Sequence, residues 1–323
     1  MGEMRNVDVV VLGYMFNERI RFQTRVIGPV LGGTASYAAV CLGRLGTRTG
    51  IVSNIADTTP AFMTDPLREA GVDLTGLNRR AGISTTETIL VYDDQGNKEI
   101  EYVKRAPLIL PGDIPESYYR AEIFLLCEVD FEVPLATVVA IRRKNPLLKI
   151  AADLGGIGGA HSTPQMRREY IEAEGGKKFE QYFEYIDFGK ASLEDCSKMF
   201  GKRFDNAEEP GALLLRRGIG TVLITLGEQG SLILTKDGEH VRVPAIEPEG
   251  GVIDATGAGD TFIAAFISEY LASRDNKRAG YFAAAAASLL IEKSGGVSAG
   301  RSPERPQVEE RLGKFCRSRN LCI

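Results

Sequence analysis

Apolar runs and amphipathic stretches alternate along most of the chain. Val7–Leu12 is almost continuously β-branched and apolar, the pattern of a strand buried on both faces of a parallel sheet. Gly32-Gly33 opens the alanine-rich stretch Thr34–Arg44, which predicts a helix ending at Gly46. Thr49–Ser53 predicts a second strand, and Pro60–Glu69 a helix stopped by Gly71. The texture then changes: Thr86–Tyr92 and Lys98–Val103 are extended, partly polar runs around Asp93-Asp94-Gln95-Gly96-Asn97, a hairpin signal. Strands follow at Ile123–Cys127, Lys149–Asp153, Tyr185–Phe188 and Thr221–Thr225, with helical segments between them. A second hairpin pairs Ser231–Thr235 with His240–Val243, and helices are predicted over Asp260–Ala272, Lys277–Lys293 and Pro306–Arg317. This order implies one doubly wound α/β domain over residues 1–323, with the first hairpin appended to it rather than part of the central sheet.

Composition narrows the function classes. A chain of 323 residues with 44% hydrophobic and 25% charged positions can bury a large core, which excludes disordered and fibrous classes. A net charge of −4 supplies no electrostatic footprint for nucleic acid or an anionic membrane, so the expected partner is a small molecule. The longest apolar stretch, Ala283–Ile291, is too short to cross a bilayer, and the N-terminal residues lack the apolar run of a signal peptide. A cytoplasmic setting is the expectation. Cys41, Cys127, Cys196, Cys316 and Cys322 form no C-x-x-C pair, which favours buried inert thiols over a zinc site or disulfides.

The most informative segment is Asp254-Ala255-Thr256-Gly257-Ala258-Gly259-Asp260-Thr261-Phe262. It has neither the lysine of a Walker A loop nor G-x-G-x-x-G spacing. Small residues precede a helix, so the N–H groups of Gly257, Ala258 and Gly259 can converge on one anion at the positive helix terminus. Asp260 at that corner is placed to take a proton from an attacking hydroxyl. A plain helix cap would explain Asp260 alone; Asp254 and two threonines within the same nine residues favour chemistry.

These nine residues resemble the C-terminal signature of the ribokinase-like (PfkB) carbohydrate kinases, D-x-x-G-A-G-D-x-F, at every fixed position. The resemblance extends over nearly the whole chain. It implies a ribokinase-like, mainly parallel sheet flanked by helices, with a small β-sheet lid built from about residues 15–30 and 84–105. It implies that Asp260 is the catalytic base and that Gly257, Ala258 and Gly259 form an anion hole for the transferring phosphoryl group. Thr225, Gly227 and Gly230 resemble the T-x-G-x-x-G turn that packs against the nucleotide, so ATP is the implied cofactor. Ser192 and Asp195 stand in place of an N-x-x-E motif that organises water around Mg²⁺, with Glu194 as competitor. Asp254 and Thr256 resemble ligands of a monovalent cation, which makes K⁺ a candidate third cofactor. Carbonyls around Leu289–Ser294 and the Ser298 hydroxyl resemble the rest of that cage.

On the acceptor side, Gly32, Gly33, Thr34 and Ser36 resemble the di-glycine segment that approaches a sugar hydroxyl, with Tyr37 where the family often has asparagine. Glu18 takes the place of an aspartate that grips substrate hydroxyls. The implied activity is ATP-dependent phosphoryl transfer to a hydroxyl of a sugar, polyol or related polyhydroxy compound. The alternatives are a nucleoside kinase, for which Phe16 and Tyr37 could face a base, and a non-catalytic sugar- or nucleotide-binding protein on this scaffold. Pairing of two copies through the lid is the expected assembly.

Overall fold

The computed structural model describes residues 7–21, 23–92, 98–129, 131–159 and 179–319, with the single positions 168 and 172. The expected turn at Asp93–Asn97 and the thiol of Cys322 lie outside the described residues. The first seven strands are β1 (Val9–Leu12), β2 (Phe16–Arg21), β3 (Val26–Gly32), β4 (Thr49–Ala56), β5 (Asp73–Arg80), β6 (Thr86–Tyr92) and β7 (Lys98–Lys104). There follow β8 (Ile123–Leu126), β9 (Lys149–Asp153), β10 (Phe188–Ser192), β11 (Thr221–Thr225), β12 (Ser231–Thr235) and β13 (His240–Val243). The helices that matter here are α1 (Thr34–Arg44), α2 (Asp65–Glu69), α3 (Leu135–Lys144), α4 (Leu193–Phe200), α5 (Glu208–Arg216), α6 (Ala258–Ser273), α7 (Asn276–Leu290) and α8 (Arg305–Arg319).

Nine strands join in the order β13-β12-β11-β10-β9-β8-β1-β4-β5. Among the described residues the strands from β11 to β5 run parallel, and β12 is antiparallel to both β11 and β13. Every residue of β1 is buried because helices cover both sheet faces. On one face Phe262, Phe266 and Phe282 of α6 and α7 pack with Leu42 of α1 and Leu312 of α8. On the other, Val138, Cys196 and Leu214 of α3, α4 and α5 pack with Tyr182 and Phe183. Burying each large side chain contributes about 1.5–3 kcal/mol, and these two layers carry most of the drive to fold. The strand order reverses at β1, between β4 and β8, which opens a crevice at the C-terminal strand ends.

A second sheet, β3-β2-β6-β7, stands over that crevice. The pairs β2–β3 and β6–β7 are antiparallel, and β2–β6 is parallel. In β2 the alternation is strict: Phe16, Glu18 and Ile20 are buried, whereas Arg19 and Arg21 are exposed. This sheet is the lid, and its inner face looks onto the body.

Three expectations require correction. The strand expected at Tyr185–Phe188 begins at Phe188 and runs to Ser192, while Phe179–Tyr185 is a run of 3₁₀ turns that buries Tyr182 and Phe183. The stretch Pro60–Glu69 is a 3₁₀ turn followed by the short α2, interrupted at Thr64 just before Asp65-Pro66. Strand β5 was not expected; it is a partly exposed, polar edge strand whose sequence carries little apolar periodicity.

Candidate active site

Several sequence motifs converge at the crevice. Gly257 caps α6 in the left-handed region, with φ 82°, and a Cβ there would stand 2.5 Å from the Tyr37 ring. Only glycine suits that position. The Thr261 N–H closes the first turn on Gly257 O at 2.9 Å, and the Ala258 N–H donates to Ala255 O at 3.2 Å. The amides of Gly257 and Gly259 have no hydrogen-bond acceptor among the described residues. Of the three amides expected to converge on an anion, those of Gly257 and Gly259 stand at the open helix end, and that of Ala258 is occupied by the turn. Asp260 lies buried in the first turn of α6.

A cation sits directly beneath. A Cβ at Gly259 would be 2.7 Å from Lys190 Nζ, so the ammonium lies against the glycine turn. Lys190 donates to Asp153 Oδ2 at 2.9 Å, with side-chain exposures of 6% and 1%. Burial by itself would depress the Lys190 pKa, but the charges of Asp153, Asp195 and Asp260 outweigh it and hold the pKa above the ordinary lysine range. Strands β9 and β10 set this geometry, since Asp153 and Lys190 are register partners.

Further along the strand ends, Thr225 closes β11 and a 3₁₀ turn spans Gly227–Gln229. Gly227 and Gly230 have φ of 58° and 88°, and a Cβ at Gly230 would collide with Val243 O at 2.1 Å. Ser192 caps α4: its Oγ accepts from the Asp195 N–H at 3.0 Å, and Asp195 Oδ2 accepts from the Ser192 N–H at 2.7 Å. Ser192 and Asp195 thus form a capping box, and Asp195 Oδ1 faces the Gly159 backbone. Glu194 is exposed and pairs with Lys198 at 3.6 Å.

The acceptor side is built where the lid meets α1. Glu18 is buried, and its Oε2 would lie 2.5 Å from a Cβ placed on Gly32. Thr88 Oγ1 donates to Glu18 Oε1 at 3.4 Å. Gly33, with φ 92°, admits the turn from β3 into α1, where a Cβ would stand 2.7 Å from Tyr14 O. Thr34 Oγ1 donates to Cys127 O at 2.6 Å, tying α1 to the end of β8. Ser36 is fully buried, and its hydroxyl has no partner among the described residues. Phe16 packs edge-on against Tyr102 at 6.0 Å, in a cluster with Tyr14, Ala106 and Val129. The Tyr14 hydroxyl donates to Ala106 O at 2.6 Å and its N–H to Glu132 Oε1 at 3.0 Å, fastening the lid base to the body. Phe16 belongs to this lid-base cluster, and the Tyr37 ring packs over Gly257.

Register gives the lid's inner face a graded character. Glu18, Thr88 and Tyr102 are cross-strand partners in one row, and Ile20, Leu90 and Ile100 in the next. A polar row therefore lies beside Gly32, and an apolar row lies beyond it toward the lid tip.

Comparison with known proteins places this architecture. Residues 144–303 match the model of the pfkB family carbohydrate kinases. A nucleoside kinase of Methanocaldococcus jannaschii is 38% identical over 97% of this chain and 98% of its own. The chain belongs to the pfkB family of carbohydrate kinases. A ribokinase of Arabidopsis thaliana is 26% identical over 86% of this kinase and 70% of its own length. The solved structure of Arabidopsis thaliana ribokinase with ribose and ATP superimposes with a TM-score of 0.74 at 23% identity, covering 95% and 99% of the two chains.

At the expected monovalent-cation cage, this pfkB kinase departs from the sequence expectation. The carbonyls of Asp254 and Thr256 accept hydrogen bonds from Arg301 Nη2, both at 2.9 Å. Ile291 O accepts from the N–H groups of Ile253 and Asp254, and Ser298 Oγ accepts from the Arg301 N–H at 3.2 Å. The carbonyls of Asp254, Thr256 and Lys293 thus surround the buried Arg301 guanidinium, and a second positive charge among them would be repelled, so the residues present do not fit that ion. Arg301 and the Lys190–Asp153 pair are the functional candidates that motif reading missed. Asp153 ends an expected strand and Lys190 stands just before the Ser192 motif, but only the fold brings them together. Burial pushes the Cys41 and Cys196 thiols up to about 12, and Cys127 also lies well above its ordinary value, in keeping with inert core thiols.

Proposed function

We propose that this kinase works as a single domain under its lid and transfers a phosphoryl group from ATP·Mg²⁺ to a hydroxyl of a nucleoside. The graded inner face of the lid carries the reading. Glu18 and Thr88 suit ribose hydroxyls beside Gly32, and the row Ile20–Leu90–Ile100 suits the flat, less polar base beyond them. The full-length likeness to a nucleoside kinase supports the same choice.

In this reading Asp260 accepts the proton of the attacking hydroxyl. The amides of Gly257 and Gly259, at the positive end of α6, stabilise the charge on the transferring group. Lys190, held by Asp153 against Gly259, adds a fixed positive charge on the opposite side of the same turn. The turn at Thr225, Gly227 and Gly230 offers a close backbone approach to the nucleotide. Mg²⁺ neutralises phosphate charge when bound and is held mainly by phosphates and water; Asp195, oriented by the Ser192 capping box, is the carboxylate for its water shell. Potassium has no place in the proposal, because its carbonyls are taken by Arg301.

An ADP-release screen over nucleosides, free pentoses, hexoses and inositols tests the acceptor. At least one nucleoside should exceed every free sugar in kcat/KM by about tenfold or more, the discrimination expected when a base fills an apolar site. Preference for a free sugar or inositol over all nucleosides would return the reading to the sugar kinases.

The lid also supports self-association. Val26 and Ile27 on β3 and Val103 on β7 are exposed at 60%, 36% and 52%, leaving apolar surface for a second copy. The double change Val26→Asp with Ile27→Asp should turn a dimer into a monomer in light scattering. A dimer that survives it would move the interface off the β3 edge.

A further inference from the structure

We propose that the Arg301 guanidinium is a built-in monovalent cation, which supports the phosphate-binding turn in place of an ion taken from solution and frees the enzyme from K⁺. The inference rests on the kinase chemistry and not on the identity of the acceptor. Arg301 lies in the segment between α7 and α8 with a side-chain exposure of 2%. Its five N–H groups meet five acceptors. Nη1 donates to Gly295 O at 2.5 Å and Tyr37 Oη at 3.0 Å. Nη2 donates to Asp254 O and Thr256 O, both at 2.9 Å, and Nε to Lys293 O at 3.0 Å. Asp254 Oδ2 lies 3.3 Å from Nη2 and supplies the counter-charge.

Four carbonyls, a hydroxyl and one carboxylate around a single positive charge make the oxygen shell of a weakly hydrated monovalent ion. Here that charge is covalently fixed. No donor of the planar fork is left over, so the five acceptors define one geometry for the loop that carries them. The cavity beside the guanidinium, lined by Tyr37, Thr261, Val297 and Ser302, is about 10 Å³. That is room for about one water, and none for a cation with ligands of its own.

The position connects this charge to the chemistry. Asp254 O and Thr256 O flank the entry to Gly257, and Tyr37, which receives Nη1, is the ring that packs on Gly257. Asp254 Oδ1 accepts from the Thr256 N–H at 2.9 Å and Oδ2 from the Gly295 N–H at 3.3 Å, so the carboxylate laces the two loops together around the guanidinium. Arg301 is thus a positioning residue: it touches neither substrate nor the transferring group, and acts by holding the carbonyls back so that the amides of Gly257 and Gly259 stay aimed at phosphate.

The test compares the full-length enzyme in KCl, NaCl and tetramethylammonium chloride at equal ionic strength, by turnover and by thermal melting without substrate. Wild-type kcat should agree within about twofold across the three salts, with no K⁺-specific shift in Tm. Arg301→Ala should lose activity, then recover part of it with added guanidinium or K⁺ but not tetramethylammonium, and its Tm should rise with K⁺. A wild-type enzyme stimulated more than about fivefold by K⁺ over tetramethylammonium would overturn the proposal. So would a folded Arg301→Ala that neither cation rescues and whose Tm ignores K⁺, since Arg301 would then be a loop brace only. Should that variant fail to fold, the wild-type salt series alone decides. The melting series is independent of the acceptor, so a failure of the nucleoside reading leaves this result standing.

Discussion

Replacing Asp260 by asparagine should lower kcat by roughly 10²–10⁴-fold while leaving the fold and ATP affinity intact. The amide keeps the shape of the side chain in the first turn of α6 but cannot accept the proton of the attacking hydroxyl. Without that acceptor the oxygen must attack while still protonated, and the barrier rises at the transfer step alone. Steady-state kinetics with the accepted substrate, together with calorimetric titration of ATP, separate the two effects. Near-wild-type turnover in Asp260→Asn would remove Asp260 from the role of base, and a large loss of ATP affinity would reassign it to nucleotide binding.

Lys190→Met should produce the other large change, and it should act on two observables at once. Loss of the ammonium beneath Gly259 removes a positive charge from the site of transfer, for an expected fall in kcat of roughly 10²–10³-fold. It also strands Asp153 in the sheet without its partner, which costs about 3–5 kcal/mol of stability. The paired change Lys190→Met with Asp153→Asn distinguishes these consequences. Urea unfolding should show much of the stability recovered, whereas kcat should stay low. If the double variant regained wild-type turnover, the lysine would serve only to neutralise Asp153. The Lys190 pKa is raised, so the stability of this pair is present below the ordinary lysine pKa and lost only as pH rises through the higher folded value. Neutral and mildly alkaline solutions should therefore show no titration of its effect.

Much of the architecture is legible in the sequence, for reasons that differ by element. Helix α1 starts and stops where expected because Gly33 and alanine-rich periodicity mark its course. Strands β9, β11, β12 and β13 occur where apolar runs are bounded by turn residues. Strand β10 is displaced because its aromatic approach, Phe179–Tyr185, looks more strand-like than Gly189-Lys190-Ala191-Ser192, where a buried lysine makes sense only with Asp153 alongside. The glycine turn and Asp260 are legible as a local pattern. Arg301 is not, because four of its five acceptors are backbone carbonyls, which have no signature in a sequence. An isolated arginine in a loop reads as solvated until the chain is folded around it. Tyr37 and Phe16 are legible as candidate walls of a base slot, but their packing over Gly257 and against Tyr102 is visible only in the fold.

The fastening of the lid at Tyr14 sets a limit on what acceptor selectivity this scaffold can acquire. Two hydrogen bonds from one residue bind the first lid strand both to Ala106, where the last lid strand returns, and to Glu132 in the body. Among the described residues these two bonds hold the lid at the end that bears Glu18 and Gly32, like the root of a cantilever, with Ile20, Leu90 and Ile100 farther out. Displacement grows with distance from the clamp. In the proposed function, the end that presents the reacting hydroxyl should therefore stay in register with Asp260, while the far end should yield to the bulk of the acceptor. Such a beam enforces stringency over which oxygen is phosphorylated and leniency over what is attached to the rest of the sugar, so changes in acceptor range should accumulate in the outer row without disturbing the transfer geometry.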